Sequence, residues 1–294
     1  MRLAWFKPRA IAGSGDDDTA LLIRAIAPRH AVDVVEISRA HDFVWQHARR
    51  PWDLCVYELG GSPAHQFIGP YAAHYPGIVL LRGIPRHDQA LRSARLVVVP
   101  HEPVAQGIAD DYPGVRVRTL VPGVEPLADD LGIVEALRWP PDGAALTHAL
   151  AGFAASRPVI VFDGPETADW PSLDPQNWQP RAPLERRGMI AGREPICVSI
   201  DSRDAGHSLE LARKRLESDP ALRERLGLAA HAWWATHATV AIAAAGFERL
   251  LEEAIDLPVP EAAAAANDGT GKARQILDAL GIVDGSGAAI GLWT

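Results

Sequence analysis

The chain has few cysteines and no long apolar stretch. Only two cysteines occur among 294 residues, Cys55 and Cys197, and each lies inside a short apolar run. Their spacing matches no metal-binding motif, so we expect two buried free thiols in a reducing compartment. No apolar segment approaches the ~20 residues that a transmembrane helix needs. The sequence therefore excludes a disulfide scaffold and predicts no transmembrane segment.

The sequence also lacks an excess of basic residues. Its formal net charge is -8, whereas non-specific nucleic-acid binding needs a basic face, so we expect no nucleic-acid partner. Lys7-Pro8-Arg9 interrupts the first apolar run, and no secretory signal peptide is predicted. These features predict a cytoplasmic protein, with peripheral membrane attachment through a protein partner left open.

Common catalytic signatures each fail at a named position. Gly271-Lys272 looks like the end of a phosphate loop, but Ala266 and Ala273 replace the required glycine and hydroxyl residue. His101-Glu102 lacks the second histidine of a zinc motif, because Ala105 stands in its place. We therefore predict no metal site from these motifs.

The stretch from residue 52 to 83 carries the clearest pattern that is present. Two apolar runs, 54–59 and 78–81, flank a helix predicted over 64–75, which ends at Pro76-Gly77. Short continuous apolar runs around a helix are typical of two buried parallel strands with a crossover. The loop from Glu58 to His65 then follows a strand, where α/β sheets place ligands, so both residues are candidate binding residues.

The same alternation of strands and helices covers most of the chain. We predict an α/β protein with two Rossmann-like domains, 1–122 and 123–257, that face each other across a cleft. Residues 164–193 are rich in proline, tryptophan and aspartate, and we expect an ordered irregular surface segment. Residues 258–294 have a linker-like composition with one possible short helix over 271–281.

The loop after the first predicted strand contains Gly13 and Gly15. These glycines let the backbone approach a ligand, or they form a plain turn before an acidic helix start, and both interpretations stay open. The aspartates at 16–18 would repel a phosphate there. Glu36 has about the right distance for a ribose-binding acid, but the glycine fingerprint is incomplete, so a dinucleotide enzyme is the weaker hypothesis.

The stretch from 57 to 81 resembles bacterial retaining glycosyltransferases of the GT-B fold, the glycogen-synthase-like group. The matching positions are Tyr57, Leu59, Gly60, Ser62, His65, Phe67, Tyr75, Pro76 and Gly77. Weaker likenesses follow at 96–125, at 133–163 and in the helices predicted over 218–254. The resemblance implies two Rossmann-like domains and a metal-independent reaction. A nucleotide-sugar is then the substrate, and no separate cofactor is needed.

The resemblance also identifies departures from the family pattern. Its donor-binding loop and helix would lie at Arg138, Asp142 and Gly143, but its two glutamates are matched by Gly143 and Ala151. Arg82 stands where the family often has a histidine. The segments 83–96 and 126–133, the second of which holds basic diphosphate-binding residues in the family, are contracted. The donor segment is therefore either an intact site or a structural remnant.

Two functional hypotheses follow from the resemblance. The first is transfer of a sugar from a nucleotide-sugar to a glycan, lipid-linked or small-molecule acceptor, with weak or lost activity. The second is a non-catalytic relative that binds a sugar, a nucleotide diphosphate or a protein partner. No catalytic residue is assigned. The candidate binding residues are Gly13, Gly15, Glu58, His65, Arg82, Arg138, Asp142 and Gly143.

Overall fold

The first half of the chain forms a parallel sheet. The computed structural model describes residues 1–9, 18–82, 88–127, 132–137, 143–181 and 193–263. Six strands pair in the order β2-β1-β3-β4-β5-β6, every pair parallel. These strands are β1 (Arg2–Phe6), β2 (Ala31–Val35), β3 (Leu54–Leu59), β4 (Ile78–Leu81), β5 (Leu96–Val99) and β6 (Val117–Thr119). The helices between them are α1 (Asp18–Ile26), α2 (Ala40–Arg49), α3 (Ile68–His74), α4 (Asp88–Ser93) and α5 (Glu102–Asp111).

The continuous apolar runs explain why the central strands are buried on both faces. Every residue of β3, β4 and β5 is buried, as expected of parallel strands that helices cover on both sides. Helices α2 to α5 pack on one face through residues such as Phe43, Ile68, Leu91 and Ile108. Helix α1 packs on the other face through Leu22 and Ile26. The predicted bounds of β3 and β4, 54–59 and 78–81, are confirmed to the residue.

The helix predicted over 64–75 differs in the structure. A 3-10 turn spans Pro63–His65, and α3 begins only at Ile68. Pro70 has no backbone N–H and is tolerated only in the first turn of an α-helix. The helix therefore begins two residues before this proline rather than at residue 64.

The second half of the chain forms a mixed sheet of five strands. The strand order is β10-β9-β11-β8-β7, and only the β9–β10 pair is antiparallel. The strands are β7 (Val134–Ala136), β8 (Val159–Phe162), β9 (Ser172–Leu173), β10 (Pro180–Arg181) and β11 (Cys197–Ile200). The helices are α6 (Gly143–Ala154), α7 (Ala205–Ser218), α8 (Pro220–His237) and α9 (Val240–Asp256).

The prediction of an irregular surface segment over 164–193 is wrong for residues 170–173. Strand β9 pairs with β11 inside the sheet, and residues 170–173 are buried. The Trp170 ring packs edge-on against Phe153 and Trp233, with ring centroids 5.0 and 5.9 Å apart. Burial of this large side chain outweighs the loop-forming composition around it. Residues 182–192 lie outside the described residues.

Helix α9 leaves the second sheet and packs on the first. Its Phe247 is fully buried against Trp5 of β1, with ring centroids 5.1 Å apart. The chain crosses between the sheets at Pro122-Gly123, where a Cβ on Gly123 would lie 2.6 Å from the Val240 Cα. This close backbone approach requires glycine. The short helix predicted over 271–281 lies outside the described residues.

The two cysteines are buried free thiols, as predicted. Burial raises the pKa of the Cys55 thiol to about 11 and that of Cys197 further still. Among the described residues, no helix is long and apolar enough to cross a membrane.

Candidate functional site

The first sheet has a switch point between β1 and β3. In the order β2-β1-β3-β4, the chain leaves β1 towards β2 and leaves β3 towards β4, so the two connections diverge at the carboxyl ends of β1 and β3. In open α/β sheets this crevice is the preferred ligand site. Lys7 follows β1 directly and is buried, with 7% of its surface exposed. Glu58, at the end of β3, is buried as well.

Four polar side chains meet at this edge and are called here the strand-end cluster: Asp18, Thr19, Glu58 and Arg82. The Thr19 hydroxyl donates to Glu58 Oε1 and accepts from Arg82 Nη2 at 3.0 Å. Arg82 Nη1 donates to Asp18 Oδ2 at 2.6 Å. The bonds run from β4 through the first turn of α1 to β3. They fix the start of α1 against two neighbouring strands.

The charges of the strand-end cluster nearly balance. Burial raises the pKa of the Glu58 carboxyl, and the negative charge of Asp18 raises it further. Arg82, the Thr19 hydroxyl and Lys7 act in the opposite direction and offset part of the effect. Two cationic and two acidic side chains therefore share the edge, which leaves no strong positive potential for a diphosphate.

A shallow cleft opens beside the cluster. Asp18 and Arg82 form its polar part, and their side chains keep 15% and 18% of their surface exposed. The rest of the wall is apolar or backbone and consists of Leu22, Leu80, Leu81, Val98, Val99, Pro100, Leu120, Pro122, Gly123 and Ala243. An apolar wall with a few fixed polar groups is the usual composition of a small-molecule site.

The structure brings two of the predicted site residues together. A third, His65, contacts a residue of its own turn. Glu58 and Arg82 share the strand-end cluster. His65 lies in the 3-10 turn after β3, where its Nδ1 is 2.9 Å from the Ser62 hydroxyl. A Cβ on Gly60 would lie 2.9 Å from the His65 ring, so glycine lets the ring fold back over the loop. The His65 ring therefore lies against the 3-10 turn.

The predicted donor segment is described only in part. Gly143 is the first residue of α6, whereas Arg138 and Asp142 lie outside the described residues. The candidate residues Gly13 and Gly15, in the loop after β1, lie outside them too. Because α6 follows β7, its N-terminus faces the carboxyl edge of the second sheet, where a helix dipole favours an anion. Ala151, at the position of the family's other glutamate, packs against the core of the second sheet. No carboxylate replaces it there.

The carboxyl edge of the second sheet carries arginines that are already paired. Arg181 donates to Asp163 at 2.6 Å and lies 3.5 Å from Asp174. Hydrogen bonds from Arg203 lower the pKa of Asp201 to about 2. Each of these cations is compensated by a carboxylate, so none forms a basic diphosphate clamp as it stands.

The two sheets meet at a histidine. His101 follows β5 and is buried; its Nδ1 lies 3.3 Å from Asp169 Oδ1, beyond β8. The two atoms are close but not aligned as a hydrogen bond. The Trp170 ring also meets the His101 ring edge-on at 5.7 Å. These contacts join the loop after β5 of the first sheet to the segment after β8 of the second.

Sequence reasoning missed Lys7, Asp18, Thr19 and His101 as site residues. Lys7 and His101 each stand just beyond an apolar strand, a position that could have flagged them. Asp18 and Thr19 could be interpreted from sequence only as a helix start, because their pairing with Arg82 and Glu58 depends on the strand order.

Comparison of the sequence with known proteins identifies no relative. No protein-family model matches the chain, and no curated protein matches its sequence. In the part of the chain that the structure describes, no group of three or more histidine, cysteine, aspartate or glutamate side chains is arranged to hold a metal ion.

Proposed function

We propose that the chain is a GT-B-like protein that binds a sugar or nucleotide-sugar between its two sheets, with weak or absent sugar transfer. In this proposal residues 1–122 form the acceptor-side domain and 123–257 the donor-side domain. The nucleotide-sugar is a substrate or ligand, and no separate cofactor takes part. The observation that carries the proposal is the strand-end cluster at the switch point of the first sheet.

The chemistry of that cluster favours a neutral ligand rich in hydroxyls. Asp18 supplies accepting oxygens and Arg82 supplies N–H donors on one wall, while Leu80, Val98 and Pro122 offer apolar surface. A sugar ring presents hydroxyls at its rim and C–H groups on its faces, so it matches such a wall. A diphosphate would need excess positive charge, which neither Arg82 nor Arg181 provides, because aspartates balance both. The diphosphate of a nucleotide-sugar would therefore depend on another cation.

Loss of transfer is supported by the donor side. Retaining transfer needs a group that holds the donor and positive charge on the leaving diphosphate. The positions of the family's glutamates hold Gly143 and Ala151. Arg138 is the cation that precedes the donor helix in the sequence, so we expect any nucleotide binding to depend on it.

The alternative is an active glycosyltransferase with an unidentified acceptor. The specific feature in its favour is α6, whose N-terminus faces the carboxyl edge of the second sheet, where an anion would be stabilised. A panel of nucleotide-sugars followed for hydrolysis and for transfer separates the two. Robust turnover by the wild-type chain would contradict the non-catalytic proposal.

Binding is tested by calorimetry with nucleotide diphosphates, their sugar conjugates and free monosaccharides. Arg82→Ala should weaken binding of the sugar, and Arg138→Ala binding of the nucleotide. Arg118→Ala is the control, since Arg118 lies in the edge strand β6 of the first sheet and pairs with Glu253 of α9. Ligand affinity that neither Arg82→Ala nor Arg138→Ala changes would remove both residues from the site.

A further inference from the structure

Helix α2 has two apolar faces, and only one of them is buried. Ala40 and Phe43 pack into the core, where Phe43 stacks on Trp52 with ring centroids 5.0 Å apart. On the outside, Ile37, Val44 and Trp45 are 63%, 42% and 72% exposed. They are three of the seven large apolar side chains exposed in the described part of the chain. We call these three residues the α2 patch.

The α2 patch is unusual for its tryptophan. The other six described tryptophans are buried or half-buried. Ile37 lies in the turn before α2, Val44 and Trp45 are consecutive residues of the helix, and all three side chains reach solvent. On the helix itself, Trp45 shares one face with Asp42 and Arg49, which stand three residues before it and four residues after it. The opposite face is held by Phe43, so the patch is presented on a rigid support.

Charged residues at the two ends of the patch are complementary to each other. Asp42 and Arg49 are separated by seven residues, two helical turns or about 10 Å, and Trp45 lies between them. Asp42 is half exposed and lies beside the exposed His41, whose Nε2 is 3.2 Å from Asp42 Oδ1. Arg49 is exposed too. A helix that carries opposite charges three residues before and four residues after an apolar side chain is complementary to an antiparallel copy of itself.

We propose that the α2 patch is the interface of a two-fold symmetric dimer of this chain. Two α2 helices pack antiparallel with Trp45 near the symmetry axis. Asp42 of each copy then faces Arg49 of the other, as a two-fold interface requires. Tryptophan and arginine are the residues that most often dominate such interfaces.

An anionic membrane is the competing occupant, because Arg39, Arg49 and Arg50 lie near the patch. The acidic Asp42 within this face and the net charge of -8 disfavour it. A second copy uses both signs of charge, whereas a membrane uses only one. Vesicle binding therefore serves as a contradicting outcome in the test.

The test is sedimentation equilibrium of the full chain over a range of concentrations. We expect a reversible dimer whose dissociation constant rises at least about tenfold in Trp45→Ala. Asp42→Arg and Arg49→Asp should each weaken self-association, because each sets like charges opposite each other. An equimolar mixture of these two variants should dimerise again, since both ion pairs are then restored across the mixed interface.

Circular dichroism is the folding control for each variant, and we expect unchanged spectra because the substituted positions are exposed. Leu228→Ala, at an exposed apolar residue of α8, is the matched control and should leave the dimer unchanged. A monomer at every concentration would overturn the proposal. So would a dimer that Trp45→Ala does not affect, or single charge variants that fail to recombine. Binding of the monomer to phosphatidylglycerol vesicles, lost in Trp45→Ala, would assign the face to a membrane instead.

Discussion

At the scale of single residues, Glu58 has the most consequential environment. It is a carboxyl group buried at a strand end, with a hydroxyl donor from Thr19 and a guanidinium close by. Burial still dominates, so its pKa is raised in the folded protein. The folded state therefore binds the Glu58 proton more tightly than the unfolded chain does.

This shift gives a signed prediction for stability. The contribution of Glu58 is fully present below its unfolded pKa, about 4.3, and is lost as pH rises through the higher folded pKa. Glu58→Gln keeps an oxygen acceptor for Thr19 and removes the titration. The free energy of unfolding of wild type minus that of Glu58→Gln should therefore fall as pH rises from about 4 to about 8.

Urea unfolding at a series of pH values measures this difference. Glu224→Gln, at an exposed position on α8, is the control for the loss of one carboxylate. A wild type that gains stability over Glu58→Gln as pH rises would show that Arg82 and Lys7 outweigh burial.

At the scale of elements, the turn before β4 depends on one glycine. A Cβ on Gly77 would lie 2.1 Å from the carbonyl oxygen of Cys55 in β3. Gly77→Ala should therefore shift the turn and cost about 1–3 kcal/mol in the free energy of unfolding. The matched control is Gly107→Ala, where no atom lies within 4 Å of the added Cβ.

Gly107 lies inside α5, so its replacement by alanine should stabilise the protein by about 0.5–1 kcal/mol through helix propensity. Denaturant unfolding of both variants gives the two values. Equal effects of the same sign at the two positions would show that the contact with Cys55 does not limit the turn.

How far the sequence predicts these elements depends on what determines them. Strands β3 and β4 are determined by local apolar runs and were predicted to the residue. Strand β9 has two residues and is held by Trp170 and its distant partners, so no local pattern predicted it. The same holds for the site: Glu58 and Arg82 were predicted as residues, but their link through Thr19 depends on the order of the strands.

At the scale of the whole molecule, α9 connects the two sheets. It follows α8 of the second sheet, yet its Phe247 and Leu251 are buried in the core of the first. Phe153 belongs to the separate core of the second sheet. Each sheet thus has its own apolar core, and α9 is one of the elements that join the two sheets.

Phe247→Ala should lower the free energy of unfolding of the first sheet by about 3–5 kcal/mol. Hydrogen exchange should then show faster exchange in β1 and α9 and little change in β8. Phe153→Ala should show the reverse, with β8 and α6 affected most. If each substitution loosens both sheets equally, the two cores unfold as one unit and the division between them is wrong.

In the proposed function, the strand-end cluster forms one wall of a sugar-binding site. Calorimetric titration of the wild type and Arg82→Ala with a panel of nucleotide-sugars and their free sugars tests it most directly. Arg82 donates to both Asp18 and Thr19, so its loss should weaken sugar binding at least about tenfold, while Arg118→Ala binds as the wild type does. No binding of any sugar by the wild type, or equal affinity in Arg82→Ala, would contradict the claim.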